Sequence, residues 1–333
     1  MSFIVAFVHL YAYIHPNVKS AYFIPACALL TDACLGLFTF VSGYLLGKKY
    51  HFGDQGDGTI VSFYKKRVLR IIPLFLLAAL ALWLIGFNTG KATLNGVLCI
   101  SPFVKVRPMT LWYIPVILTC YLITPVVSRK GLSWCLGSSI FIIAILLVLE
   151  KLVPSVDKRL AFNMFFFLTG IVTSRCFDWK MTFRKGTYLK IAVVLLFLLL
   201  LFVGQNFSNF HNLWFKRFAA GIGVFAILFF CEWVAALLFG NSFVKTEGGK
   251  SSNKNVLAHI VMFVSYASMA VYMFHRLFFW LGEKIFNPTD TTLKWSYMLL
   301  IVFPVMCVLS YYIQKTYDAV VSHNGSPSKY KTT

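Results

Sequence analysis

Charge is what this chain has least of. Asp, Glu, Lys and Arg make up only 13% of its 333 residues, against roughly 25% in soluble globular proteins. Apolar residues reach 59% and the mean hydropathy is +0.76. That balance excludes an ordinary soluble enzyme, a disordered chain and a collagen-like fibre. Acids are scarcer still: 11 Asp and Glu stand against 31 Lys and Arg, a formal net charge of +20. On a soluble domain this would read as a nucleic-acid footprint. In a chain this apolar it reads first as the Lys/Arg bias of cytoplasmic loops in a membrane protein, so no nucleic-acid partner is expected. The cysteines at 27, 34, 99, 120, 135, 176, 231 and 307 include no C-x-x-C pair and lie mostly in apolar runs. They read as small buried hydrophobes, with no disulfide framework and no metal site indicated. Walker, H-E-x-x-H and G-x-S-x-G motifs are missing too, so the chemistries those patterns serve find no support.

What is present is a series of apolar runs. A hydrocarbon core about 30 Å thick takes roughly 20 helical residues. Ten candidate spans follow: Ser2–Ile14, Pro25–Leu46, Ile71–Phe87, Leu111–Val127, Leu132–Leu152, Leu160–Thr173, Leu189–Val203, Phe218–Phe239, Val256–Leu281 and Ser296–Ile313. The runs are continuous and do not alternate with period two, which disfavours a barrel. The expected fold is all-α: a polytopic membrane bundle of about ten transmembrane helices over residues 1–316, then a short polar tail over 317–333.

Placing both termini and the even-to-odd loops on one side gathers most of the basic residues there. They include Lys48, Lys49, Lys65, Lys66, Arg67, Arg70, Arg129, Lys130, Arg175, Lys180, Arg184, Lys185 and Lys190, with Lys245, Lys250, Lys254, Lys315, Lys329 and Lys331. The bias predicts that both termini are cytoplasmic. From Met1 to Pro16 there are only 15 residues, about 22 Å of helix. The first helix is therefore expected to be half-embedded, or to begin upstream of Met1.

Ionisable side chains inside a bilayer are costly and point to function. His9 lies in Ile4-Val5-Ala6-Phe7-Val8-His9-Leu10. It reads either as a histidine hydrogen-bonded to a neighbouring helix or as a general base working near neutral pH. Ser268, Tyr272 and His275 are spaced four and three apart, so hydroxyl, phenol and imidazole share one helix face. An interfacial Tyr/His belt would look the same. Glu232 is also embedded, with no role apparent and a partnered structural carboxylate the favoured account. Lys65, Lys66, Arg67 and Arg70 stand at the cytoplasmic mouth of the third span, with Arg67 and Arg70 on one helical face. They serve either as a positive-inside anchor or as guanidinium forks for phosphates, such as those of a nucleotide coenzyme. Ser42, beside Gly43, is either architectural or part of the site.

Together these pieces resemble the integral-membrane acyltransferase-3 family of bacterial glycan O-acyltransferases. The resemblance rests on four stretches in order along almost the whole chain. They are Val5-Ala6-Phe7-Val8-His9, Phe38-Thr39-Phe40-Val41-Ser42-Gly43-Tyr44, Arg67-Val68-Leu69-Arg70-Ile71-Ile72-Pro73, and Ser265-Tyr266 through Tyr272-Met273-Phe274-His275. The run from Leu111-Trp112-Tyr113-Ile114-Pro115 to Pro125 is similar to the family's fourth-helix pattern. One departure stands out: the family pairs its first-helix histidine with an arginine eleven residues earlier, a position that falls before Met1. The short first helix agrees with a truncated start; an impaired copy is the other reading.

The resemblance implies transfer of an acyl group, acetyl by expectation, from the co-substrate acyl-coenzyme A to a hydroxyl of a saccharide or lipid-linked glycan. The setting implied is the bacterial cytoplasmic membrane, with the lipid bilayer as surroundings and no permanently bound cofactor. It assigns His9 as the catalytic base, or as a brief acyl carrier, and Arg67 and Arg70 to the donor's phosphates. Ser42, Tyr272 and His275 become candidates for acceptor positioning or oxyanion stabilisation. The competing reading is a transporter or flippase for a lipid-linked sugar, which would show inverted repeats and broken helices.

Overall fold

Each of the ten predicted spans overlaps a helix, although α3 begins well before its span at Ile71 and the last helix runs well past Ile313, and no strand occurs among the described residues. The structure is a computed structural model that describes residues 2–14, 25–50, 57–176, 187–206, 213–239 and 256–324. Lys180, Arg184, Lys185, Lys245, Lys250, Lys254, Lys329 and Lys331 of the charge map lie outside them. The described helices are α1 Ser2–Ile14, α2 Pro25–Lys49, α3 Asp57–Leu84, α4 Gly90–Val97, α5 Tyr113–Val127, α6 Leu132–Leu152, α7 Lys158–Cys176, α8 Thr187–Asn206, α9 Leu213–Phe239, α10 Val256–Ile285, α11 Thr291–Tyr297 and α12 Phe303–Asn324.

Five stretches are long and apolar enough to cross a bilayer: Ala26–Lys49, Thr59–Leu84, Leu132–Leu152, Leu213–Ala235 and Thr291–Val321. The helices α5 and α8 are apolar but shorter. The chain is thus an all-α, multi-pass membrane protein. All eight cysteines are thiols, but only Cys34, Cys120 and Cys135 are buried.

The chain divides into two compact units, Tyr22–Phe230 and the pair of segments Met1–Ala21 with Cys231–Thr333. In the first of these, α2 and α7 run side by side in the same direction and touch through glycine. A Cβ on Gly43 would fall on the carbonyl oxygen of Phe167, and one on Gly170 would fall on that of Phe40. Only a residue without a side chain lets the two backbones meet there.

The helix α3 starts well before the apolar run at Ile71, because Lys65, Lys66, Arg67 and Arg70 continue it. Lysine and arginine are good helix formers whose long stems lie along apolar surface while their charged ends reach out. Arg67 and Arg70 therefore sit within a crossing helix and not merely at its mouth.

One group of this unit's basic residues collects at the end where α3 begins. Tyr50, just past α2, packs edge-on against Phe63 of α3 at 5.1 Å between centroids. Arg175, in the last turn of α7, donates to the carbonyls of Lys130 (2.8 Å) and Ser128 (3.0 Å) beyond α5. These contacts bring Lys48, Lys49, Arg129, Lys130 and Arg175 to the end from which α3 enters.

At the opposite end, Asp157 ties the loop before α5 to the start of α7. Its carboxylate accepts from Arg159 Nε (3.1 Å) and Nη2 (2.8 Å) and pairs with Arg107 at 3.3 Å. Its backbone N–H donates to the Pro102 carbonyl at 2.7 Å. Burial pushes the Asp157 carboxyl up. The hydrogen bonds and charge of Arg159, with the charge of Arg107, outweigh that and hold it below the usual carboxylate range. Arg159 in turn stacks on Trp112, 3.6 Å from the ring centroid.

In the other unit, α1 lays Ala6, Leu10 and Ile14, each four residues from the next, against Ala267, Val271 and Phe279 of α10. Met298, Val302 and Met306 complete that core. The turn Met298–Val302 between α11 and α12 is a π-helix, with Phe303 N–H bonded to the Met298 carbonyl. Pro304 follows at once; it lacks an N–H and crowds the carbonyl four residues back. A wider turn relieves that crowding.

Candidate active site

The six predicted site residues fall into two sets, one in each unit. His9, Tyr272 and His275 share the unit built on α1 and α10; Ser42, Arg67 and Arg70 share the other.

His9 and His275 meet directly. The exposure of His9 is 2% and that of His275 is 0%. His9 Nδ1 lies 2.9 Å from His275 Nε2, and the rings are stacked with centroids 5.0 Å apart and planes 14° from parallel. The helix packing explains why. Ala6 and Leu10 set the buried face of α1, and His9 lies on it. The small Ala267 and Ala270 of α10 let the helices approach closely enough for the imidazoles to touch.

The hydrogen bonds fix which nitrogens carry protons. His275 Nδ1 faces two carbonyl oxygens, Tyr272 at 2.8 Å and Val271 at 3.2 Å. A carbonyl can only accept, so His275 Nδ1 is the N–H. For neutral rings, His275 Nε2 is then the acceptor and His9 Nδ1 the donor. The lone pair of His9 is left on Nε2. This is the tautomer a histidine needs to take a proton with Nε2 while its other nitrogen is held in place.

Tyr272 is buried beside His275, with ring centroids 6.1 Å apart. Its backbone oxygen is the one that orients His275. A residue that the sequence reading passed over also belongs here. The guanidinium of Arg276 lies 5.5 Å from the centroid of the Tyr13 ring, and the Tyr13 hydroxyl donates to the Arg276 carbonyl at 3.3 Å. Tyr13 is one helical turn beyond His9, so a fixed positive charge stands a turn along α1 from the imidazole. A basic residue inside an apolar helix was the available signal.

In the other unit the two arginines differ. Arg70 is exposed, as are Lys65 and Lys66. Arg67 is half-buried, its guanidinium 5.4 Å from the ring centroid of Tyr121 and 5.6 Å from that of Phe63. Two aromatic faces thus hold one guanidinium, leaving its donor edge to form a fork for an anion. Tyr121 is buried on α5 with its ring 6.1 Å from that of Phe167 on α7, and Ser42 is half-buried on α2 beside Gly43. Tyr64, next to Phe63, donates to the Leu122 carbonyl at 2.7 Å, three residues before Pro125 interrupts the α5 ladder. Arg67, Tyr121 and Phe167 form a connected line across α3, α5 and α7. Glu232, half-buried on α9, is not part of either set.

A family model described as an acyltransferase domain matches residues 1–315. No curated protein and no solved structure shows a significant match to the chain.

Proposed function

The chain belongs to the acyltransferase-3 family, and from that premise we propose that it moves an acyl group, acetyl by expectation, from acyl-coenzyme A to a hydroxyl of a saccharide or lipid-linked glycan. The observation that carries this reading is the buried His9–His275 hydrogen bond, which leaves His9 Nε2 as the proton acceptor. Family membership favours it over the transporter reading.

In this mechanism His9 Nε2 takes the proton of the acceptor hydroxyl as its oxygen attacks the thioester carbon. The tetrahedral intermediate collapses by breaking the carbon–sulfur bond, and the thiolate leaves with the proton from His9 Nε2. An ester and coenzyme A result. His275 acts as the positioning residue, accepting from His9 Nδ1 and sharing the positive charge while His9 holds two protons. Tyr272 is assigned to the acceptor side. Arg67 and Arg70 take the donor's phosphates: Arg67 as a fork pre-set by two rings, Arg70 as an exposed cation that attracts anions.

The setting is the bacterial cytoplasmic membrane, with ten crossings, both termini in the cytoplasm and residues 1–316 as the membrane domain. The basic end of α2, α3, α5 and α7 supports that orientation. Comparing envelope glycans from bacteria that carry the full chain or its His9→Ala variant, by mass spectrometry, tests the proposal. Acyl esters should appear with the wild-type chain and be lost with His9→Ala. Identical glycans would overturn it.

A further inference from the structure

A cavity of about 560 Å³ lies within the larger unit, walled by Ile143 and Leu147 of α6, Phe162 and Phe166 of α7, and Ile222 and Phe225 of α9. Pockets for small ligands run to roughly 300–1,000 Å³. Among the described residues that line it, Arg217 carries the only charge, so the cavity suits a hydrocarbon chain. Phe165 and Phe218 at its rim are 50% and 64% exposed, so it opens towards the bilayer. From Arg217 to Phe225 the α9 wall runs about 12 Å, which fits within the roughly 15 Å of hydrocarbon in one leaflet.

The Arg217 end is the mouth. Its guanidinium lies 5.3 Å from the ring centroid of Trp214, which is exposed, as suits a tryptophan at the membrane interface. Arg217 pairs with Glu150 in the last turn of α6 and donates to the Lys158 carbonyl at the start of α7. Those bonds gather Lys151, Lys158 and Lys216 around the mouth. Glu150 is taken by Arg217, and Asp157 by Arg107 and Arg159. Asp32, near the start of α2, does not balance three lysines. The bias that orients the chain places its lysines at the other end, so orientation does not account for these.

We propose that this cavity binds an anionic glycerophospholipid, with one acyl chain lying between α6, α7 and α9 and the phosphate facing Lys151, Lys158 and Lys216. Basic pockets between membrane helices recognise lipid headgroups by charge. A zwitterionic lipid offers the same chain but brings its own cation to a basic mouth, so the mouth selects against it. A wall confined to one leaflet suits a leaflet-length acyl chain better than the longer chain of an isoprenoid phosphate. The site is separate from both side-chain sets described above and does not depend on the acyl-transfer reading.

Native mass spectrometry of the purified full chain tests it, with lipid supplied in mixed micelles. One arm offers phosphatidylglycerol and phosphatidylcholine in equal amounts; the other offers phosphatidylglycerol and an isoprenyl phosphate. The wild type should retain phosphatidylglycerol in preference to either competitor. The triple variant Lys151→Gln, Lys158→Gln, Lys216→Gln keeps the Arg217–Glu150 pair and should weaken that retention about ten-fold or more. A Cβ at position 221, on the cavity wall, meets the Phe166 ring at 3.5 Å, an ordinary contact. Gly221→Leu should therefore fill the cavity without striking backbone. It should abolish retention of phosphatidylglycerol while the thermal transition in detergent does not fall. Equal retention of phosphatidylglycerol and phosphatidylcholine by the wild type would overturn the proposal. So would undiminished retention in the triple variant or in Gly221→Leu. Retention of isoprenyl phosphate over phosphatidylglycerol would give the cavity to a different lipid and overturn it as well.

Discussion

His275 touches neither the proton nor the thioester in the proposed chemistry, yet it sets the state of the residue that does. Its Nδ1–H is committed to the Tyr272 and Val271 carbonyls, which leaves Nε2 to accept from His9. Replacing it with alanine should lower kcat about 10–100-fold, within the range that a well-placed proton acceptor contributes, and leave donor KM unchanged. His275→Gln should recover part of the loss, since an amide oxygen can also accept from His9 Nδ1. Steady-state kinetics on the two variants check this; equal rates for wild type and His275→Ala would refute the tautomer argument. His9 and His275 were legible in the sequence because each is an ionisable group within an apolar run. Their pairing was not, since 266 positions separate them. The two readings weighed for His9 are compatible: it is hydrogen-bonded to another helix, and in the proposed mechanism that bond prepares it as a base. Tyr121 went unnoticed for a different reason. In a chain that is 17% aromatic, a tyrosine gives no signal until the guanidinium above it is seen.

At the scale of elements, the contact between α2 and α7 fixes Ser42 and sets the packing behind Tyr121. Gly43→Ala would drive a Cβ into the Phe167 carbonyl, and backbone cannot rotate away as a side chain can. The expected cost is on the order of 1–3 kcal/mol, read as a thermal transition in detergent lowered by several degrees. Gly137→Ala, in α6 with nothing within 4 Å of the added carbon, should leave the transition unchanged or raise it slightly. Equal behaviour of the two variants would mean that the helices do not meet as described. Hydrophobic runs located these helices well because a bilayer imposes both length and apolarity. They located α3 poorly, since its N-terminal turns carry four basic residues that an apolar window discards. The π turn before Pro304 has no periodicity of its own to read. The Asp157 knot was equally hidden, because it joins a loop near residue 102 to one near residue 157.

For the whole molecule, the +20 charge takes a physical place: in the larger unit one group of basic residues surrounds the entry of α3, while Arg107, Arg159 and Arg217 pair with acids at the opposite end. Arg67 and Arg70 come from the first group and are given a second task. The family match over residues 1–315 supplies the reaction type; the proposed mechanism assigns a base to one side-chain set and an anion fork to the other. The central claim is that His9 is the proton acceptor in acyl transfer. The most direct measurement follows the transfer of a labelled acyl group from acyl-coenzyme A to a glycan acceptor by the purified full chain in proteoliposomes, for wild type and His9→Ala. The account predicts donor-dependent transfer by the wild type and a fall of about 10²–10⁴-fold in kcat for His9→Ala, at unchanged donor KM. Transfer by His9→Ala at the wild-type rate would contradict it.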